Sequence, residues 1–257
     1  MLSKNQIKLI NGIKIKKIRT AQGLFMAEST KIVPEILRSD FKVHSLYATR
    51  GWLRKNQELF SGLDPDAIFE VSDKELERIS GLTTPNEVLM LVEIPVHPFP
   101  DLSALSKDLT LVLDEVKDPG NLGTIIRIAD WFGIRNIICS ENSVDVYNPK
   151  VVQATMGSIT RVNVFYRNLE EFLSTTSKRE KLPVYGALLE GENIYSKKLA
   201  SNGIIVLGNE SAGISNSLLP FIQEKITIPS FGHAESLNIS MAAAIICSEF
   251  KRYQFEK

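Results

Sequence analysis

The 257 residues set thirty Lys and Arg against thirty Asp and Glu, with 44% hydrophobic and 8% aromatic residues. Zero net charge with that apolar content excludes a disordered chain, and runs such as residues 109–113 and 203–208 fall far short of the ~18 apolar residues of a membrane span. Lys4, Lys8, Lys14, Lys16 and Lys17 interrupt the stretch where the apolar core of a secretory signal would sit, so a soluble, cytoplasmic protein is expected.

The balanced total hides a segmented distribution. Residues 1–60 hold twelve basic against four acidic residues, whereas residues 61–110 hold ten acidic against three basic. Such asymmetry points either to a polyanionic partner met by one end of the molecule or to a solvated basic face. Within that first stretch residues 14–23 read as a basic opening helix or turn, and residues 30–38 as a helix interrupted near its start by Pro34. Strands are predicted over 43–48 and 67–71, a helix capped by Ser72 runs to Ile79, and another strand covers 87–94. These elements make a small α/β module.

Pro95, Pro98 and Pro100 favour an extended connection over residues 94–106. The expected division is an N-terminal domain over 1–100, a linker over 101–108 and a second domain over 109–257. In that second domain strands are predicted at 110–114, 136–139, 162–165, 184–188, 204–207 and 225–228. Helices fit 122–132, 149–158, 169–175, 216–222 and 237–253. Strands alternating with helices imply a parallel sheet with helices on both faces, whose ligand lies beyond the carboxyl ends of the strands. Cys139 and Cys247 lie in apolar segments and are expected as buried, reduced thiols.

Three loops that follow strand ends carry the chemistry. In residues 114–134 Pro119 and Gly120 are expected to make a tight turn, with Asn121 as N-cap and Arg127 inside an apolar helix. That arginine either snorkels to the surface or is aimed at an anionic or hydroxyl-bearing ligand. In residues 203–215 Gly208 and Gly213 have the offset of a phosphate loop, but Ile214 stands where that motif needs lysine, so a nucleoside-triphosphatase is excluded. The loop offers backbone amides and one carboxylate, Glu210, which is either structural or placed at the ligand crevice. In residues 227–252 Ser236 and Asn238 precede a helix rich in alanine. They either cap it or, with free amides, hold the carboxylate of an amino-acid ligand.

Asn121, Gly123, Arg127 and Gly133, then Gly208, Glu210 and Gly213, then Ile228, Pro229, Gly232, Ser236, Leu237, Asn238 and Ser240 resemble, in order and separation, the three motifs of the SpoU (TrmH) class of SPOUT RNA ribose methyltransferases. Residues 81–95 resemble the end of the substrate-binding domain that often precedes this catalytic domain. The resemblance implies methyl transfer from S-adenosylmethionine to a ribose 2′-hydroxyl in RNA, on a fold with a deep C-terminal trefoil knot, by a homodimer that needs no metal and no membrane. It places Arg127 at the reacting hydroxyl. A guanidinium stays protonated and is a poor base, so electrostatic stabilisation of the developing alkoxide is the expected role, with deprotonation of the arginine as the alternative. Asn121 and Glu210 would hold Arg127 and the ribose, and Ser236 and Asn238 would complete the polar pocket. Leu207, Gly208, Asn209, Gly213, Ile228, Ser236 and Leu237 would contact the cofactor, largely through backbone groups.

The small residues of the last helix, with Trp131 and Phe132, are candidates for the dimer contact, although core burial is the expected role of the two aromatic residues. RNA attraction is assigned to residues 1–60, above all Lys14, Lys16, Lys17 and Arg19. A separate N-terminal module with a basic leading segment favours ribosomal over transfer RNA. The competing readings are a transfer-RNA 2′-O-methyltransferase and a non-catalytic RNA-binding or ribosome-assembly protein on the same fold.

Overall fold

The computed structural model describes residues 1–178 and 182–255. The chain divides into two compact units, Met1–His97 with Asp145–Thr160, and Pro98–Val144 with Arg161 onward.

The first unit opens with a helix that the basic pattern concealed. In α1 (Lys4–Ile13) the Ser3 hydroxyl accepts the Gln6 N–H at 3.2 Å while the Ser3 N–H donates to the Gln6 side chain at 2.8 Å. This reciprocal cap starts the helix, and its apolar spacing buries Ile10 and Ile13. The basic segment follows as α2 (Lys16–Gln22), and Gly23 ends it in the left-handed region. Then come β1 (Leu24–Glu28), α3 (Ile32–Leu37), β2 (Val43–Ala48), α4 (Arg50–Lys55), β3 (Ile68–Glu70), α5 (Asp73–Ile79) and β4 (Val88–Glu93). The sheet order is β1-β4-β2-β3, with β4 antiparallel to β1 and β2, and β3 parallel to β2. Ile10, Ile13, Leu24, Met26, Leu76, Ile79, Leu89 and Leu91 form its core.

In the second unit the expected linker holds one helical turn, α6 (Leu102–Leu105), capped by the Asp101 carboxylate on the Ala104 N–H. Next are β5 (Leu109–Leu113), α7 (Pro119–Trp131) and β6 (Asn136–Ser140). Here the chain leaves for the first unit, where α8 (Pro149–Thr155) packs against β1. The helix expected over 149–158 therefore stops at a left-handed Met156 and is no part of the compact second unit. The chain returns for β7 (Asn163–Arg167), α9 (Leu169–Thr176), β8 (Val184–Asn193), β9 (Gly203–Leu207), β10 (Glu224–Thr227) and α10 (Ile239–Phe255). Residues 216–222, expected as a helix, hold only a 3-10 turn at Leu219–Phe221, because Pro220 has no N–H for a helical ladder.

The second sheet is parallel throughout in the order β10-β8-β9-β5-β6-β7. The residues of β5 and β9 are all buried, as expected of strands covered on both faces. From β5 the chain steps outward to β6 and β7, whereas β8, β9 and β10 lie on the other side. The direction of strand addition therefore reverses at β5 and β9, and the crevice that opens beyond such a reversal is where a parallel sheet takes its ligand. Among the described residues no helix is long and apolar enough to cross a membrane.

Candidate active site

The first two motif loops leave from neighbouring strand ends, since Leu113 pairs with Leu207. Beyond Leu113 the buried Asp114 accepts the Ser215 N–H at 2.8 Å and donates its own N–H to the Leu207 carbonyl at 2.9 Å. Glu115 follows in the left-handed region, φ 54°. Its N–H donates to the Ser140 hydroxyl at 2.8 Å and its carbonyl accepts from the Asn209 amide at 2.8 Å. These bonds fix the first loop on both sides.

Asp118, not Asn121, caps α7, accepting the Asn121 N–H at 2.8 Å. Pro119 and Gly120 are the first residues of the helix and not a turn, because proline's fixed φ and missing N–H suit the first helical position. Asn121 is thereby placed in the first turn, where its side chain projects beyond the strand ends.

The second loop folds tightly on itself. Asn209 and Gly213 exchange backbone hydrogen bonds at 2.9 Å each, and the Asn209 side chain accepts the N–H groups of Ser211 and Ala212. A Cβ at Gly208 would lie 2.1 Å from the Gly213 carbonyl carbon, so this position takes no side chain. Glu210 is exposed at the tip.

A polar chain joins all three loops. The Asn121 amide donates to Glu210 Oε1 at 2.7 Å, and the Asn238 amide donates to Asn121 Oδ1 at 3.0 Å. Asn238 Oδ1 in turn accepts the Ser240 hydroxyl at 2.6 Å and the Ser240 N–H at 2.9 Å. Asn238 therefore both caps α10 and reaches into the site, so the two readings of this residue are not exclusive. With Oδ1 held by two donors, its amide nitrogen must face Asn121, which turns the Asn121 nitrogen toward Glu210.

Arg127 is exposed on α7, and its guanidinium makes no hydrogen bond or ion pair among the described residues. It is not joined to the polar chain. Ser236 and Leu237 are exposed in the loop before α10, Ile228 is half-buried at its start, and Leu207 is buried at the end of β9. Trp131 was expected in the core but is 85% exposed, while Phe132 is half-buried. Lying four residues past Arg127, Trp131 shares its helix face. Sequence reasoning missed Asp114 and Asp118 as parts of the frame, and it placed Ser240 in the third motif without giving it a role. The Asp118-Pro119 pair carries the usual cap-then-proline pattern of a helix start, whereas nothing local marks Asp114 as the tie between two loops.

Two of the four expected RNA-binding residues have other roles. Arg19 is 2% exposed and paired with Asp145 at 2.5 Å, and it also donates to the carbonyls of Ile13 and Lys14 at the end of α1. It is a structural clamp, because its charge is spent inside the first unit. The Lys14 ammonium donates to Asn11 and to the Ser80 carbonyl, both at 2.7 Å, and burial lowers its pKa. Lys16 and Lys17 are exposed. Cys139 and Cys247 are buried and unpaired. Burial pushes both thiols up, Cys247 to about 12, so neither is a nucleophile near neutral pH. Among the described residues no cluster of His, Cys, Asp or Glu has the geometry of a metal site.

A model of the SpoU rRNA methylase family matches residues 108–248, which span the sheet and all three loops. The chain belongs to the SpoU rRNA methylase family. A model of the MRM3-like substrate binding domain matches residues 4–90 of this SpoU chain. The chain is 30% identical over 246 residues, 95% of each protein, to 23S rRNA (guanosine(2553)-2'-O)-methyltransferase RlmP of Bacillus subtilis. It is 38% identical to a solved RNA methyltransferase of the TrmH family from Porphyromonas gingivalis, with a TM-score of 0.87 over 98% of this chain and 99% of that one. An AdoMet-bound rRNA methyltransferase from Sinorhizobium meliloti is 28% identical, with a TM-score of 0.84 over 98% of this chain and 96% of that one.

Proposed function

We propose that this SpoU-family chain transfers the methyl group of S-adenosylmethionine to a ribose 2′-hydroxyl in ribosomal RNA. The observation that carries the reading is the hydrogen-bonded chain Glu210–Asn121–Asn238–Ser240, which draws three loops distant in sequence to one place beyond the strand reversal. A non-catalytic binding protein has no need of that convergence. The names of the relatives, RlmP and the AdoMet-bound rRNA methyltransferase, support both the cofactor and the class of RNA.

The residues of the second and third loops fit the cofactor chemically. They offer backbone amides and carbonyls beside the apolar Ile228 and the exposed Leu237 and Ser236, a set suited to an adenine ring and a zwitterionic amino acid. Leu207, Gly208, Asn209 and Gly213 shape the near wall through backbone. When bound, S-adenosylmethionine supplies a methyl group on positively charged sulfur.

Making a weak hydroxyl nucleophilic is the harder task, and it belongs to the protein. Arg127 holds the hydroxyl or its neighbouring phosphate and stabilises the alkoxide as charge develops. Glu210, turned by Asn121, positions the ribose, and Ser236 and Asn238 close the polar side of the pocket. Lys16 and Lys17 supply the phosphate attraction of the first unit.

A homodimer belongs to the same reading. Trp131 is 85% and Phe231 95% exposed in the catalytic unit, with Leu237 and Met241 half uncovered, and exposed apolar surface of this kind is covered in an assembly. The trefoil knot is carried with family membership, and two unpaired thiols suit the reducing cytoplasm.

The test is methyl transfer from labelled S-adenosylmethionine to ribosomal RNA by the Arg127→Ala protein. Loss of an electrostatic stabiliser of this kind costs about 10²–10³ in rate, with cofactor affinity by calorimetry unchanged. A variant with full activity removes Arg127 from the reaction.

A further inference from the structure

A cavity of about 240 Å³ in the first unit lies outside the site described above. Met26, Leu82 and Pro149 give it apolar walls, and Glu28 gives it a carboxylate. Glu28 is 6% exposed and held rigidly, accepting the Ser80 hydroxyl at 2.5 Å and the Gly81 N–H at 2.7 Å. Each oxygen thus has one donor and keeps a lone pair. A Cβ at Gly81 would sit 3.1 Å from Met26 Cε and 3.2 Å from Glu28 Oε1, so any side chain there would crowd the carboxylate. Lys150 is exposed on the far wall, and the Lys14 side chain also approaches Gly81. The walls come from two parts of the chain. Met26, Glu28, Gly81 and Leu82 fall within the match to a substrate-binding domain, whereas Pro149 and Lys150 belong to α8.

We infer that this cavity takes one unstacked RNA base, read through N–H donors on its edge by Glu28, with a neighbouring phosphate at Lys150. The inference rests on the reading of the chain as an RNA enzyme and gives its substrate-binding unit a specific subsite. RNA-binding proteins read sequence from splayed bases whose edges they hydrogen-bond and whose faces they cover. A fixed carboxylate accepts from such an edge as it does from an exocyclic amine in a duplex. Guanine fits best, because its N1–H and N2–H lie side by side and meet the two oxygens of one carboxylate. Adenine and cytosine offer a single amino group, and uracil only an N–H between two carbonyls.

The test compares binding of the full chain to oligouridylate, to the same oligomer with one central guanosine, and to GMP. Wild type is expected to favour the guanosine oligomer about tenfold, and inosine in its place to lose part of that gain. Glu28→Gln should abolish the preference. Because Glu28 also anchors the Gly81 loop, Ala154→Phe on α8 serves as a second variant that fills the cavity from the opposite wall. It should abolish the preference with an unchanged melting temperature and unchanged S-adenosylmethionine affinity. Equal binding of the two oligomers by wild type, or a preference that survives Ala154→Phe, overturns the inference. GMP binding as tight as the guanosine oligomer overturns the assignment to RNA in favour of a free nucleotide. Methyl transfer is assayed separately, so an active enzyme without base preference refutes the subsite alone, and an inactive one with the preference refutes the function alone.

Discussion

At the residue scale, Asn121 is the hinge of the site because it both donates to Glu210 and accepts from Asn238. Replacing it with alanine leaves an amide and a carboxylate without this partner, while the second loop stays held by Asn209 and Gly213 and the third by Asn238 and Ser240. Misplacement of the side chains so released costs on the order of 10²-fold in rate, so Asn121→Ala should lower kcat by roughly 10- to 100-fold with little change in S-adenosylmethionine affinity, measured by steady-state methyl transfer. The residues of this chain were legible through their resemblance to three motifs, but their geometry was not. Asn238 was left open between cap and ligand, and it is a cap that also reaches Asn121. Arg19 shows the opposite case. Counted by charge it belonged to an RNA-facing strip, yet it is buried against Asp145, 126 residues away in sequence, a pairing that no local pattern reveals. Removing one partner of a buried pair costs about 3 kcal/mol or more. Arg19→Ala should therefore lower unfolding stability in a denaturant titration and leave the salt dependence of RNA binding untouched.

At the element scale, the cap of α5 was readable in the sequence, whereas α1, which starts at a similar reciprocal cap, was concealed by its basic pattern. Ser72 marked α5, and Glu75, which the sequence reading did not single out, reaches back to the Ser72 N–H at 3.0 Å. It also accepts the Leu2 N–H at 2.7 Å, which ties the start of the chain to α5. These bonds, that of Ser72 first, hold the Glu75 carboxyl down at about 2 from its ordinary 4.5. A folded-state pKa below the unfolded value gives stability that is present above pH 4.5 and lost as pH falls toward 2. In thermal melts between those pH values, Glu75→Gln should flatten the acid decline relative to wild type. The parallel strands were legible as short apolar runs, since burial on both faces leaves no alternation to confuse. The destination of α8 was not legible. Its sequence has the spacing of any sheet-covering helix, and only its packing on β1 assigns it to the first unit.

At the scale of the whole molecule, a net charge of zero does not describe what RNA meets. With Arg19 and Lys14 engaged internally, the leading segment keeps Lys16 and Lys17 exposed, the two lysines proposed to meet phosphate. Each phosphate contact contributes about 0.7 to 0.9 to the slope of log affinity against log salt. Lys16→Gln with Lys17→Gln should reduce that slope by up to ~2 and leave cofactor binding unchanged, as read from RNA titrations across salt concentrations. In the proposed function the second unit supplies the chemistry at the junction of β5 and β9, and the first unit holds the RNA. The most direct measurement of that account incubates the purified full chain with S-adenosylmethionine and unmodified ribosomal and transfer RNA, then maps 2′-O-methyl groups. A new 2′-O-methyl mark at a defined ribosomal-RNA nucleotide, absent with Arg127→Ala, is the predicted result. No ribose methylation of either RNA by a cofactor-bound protein, or a mark confined to transfer RNA, would contradict it.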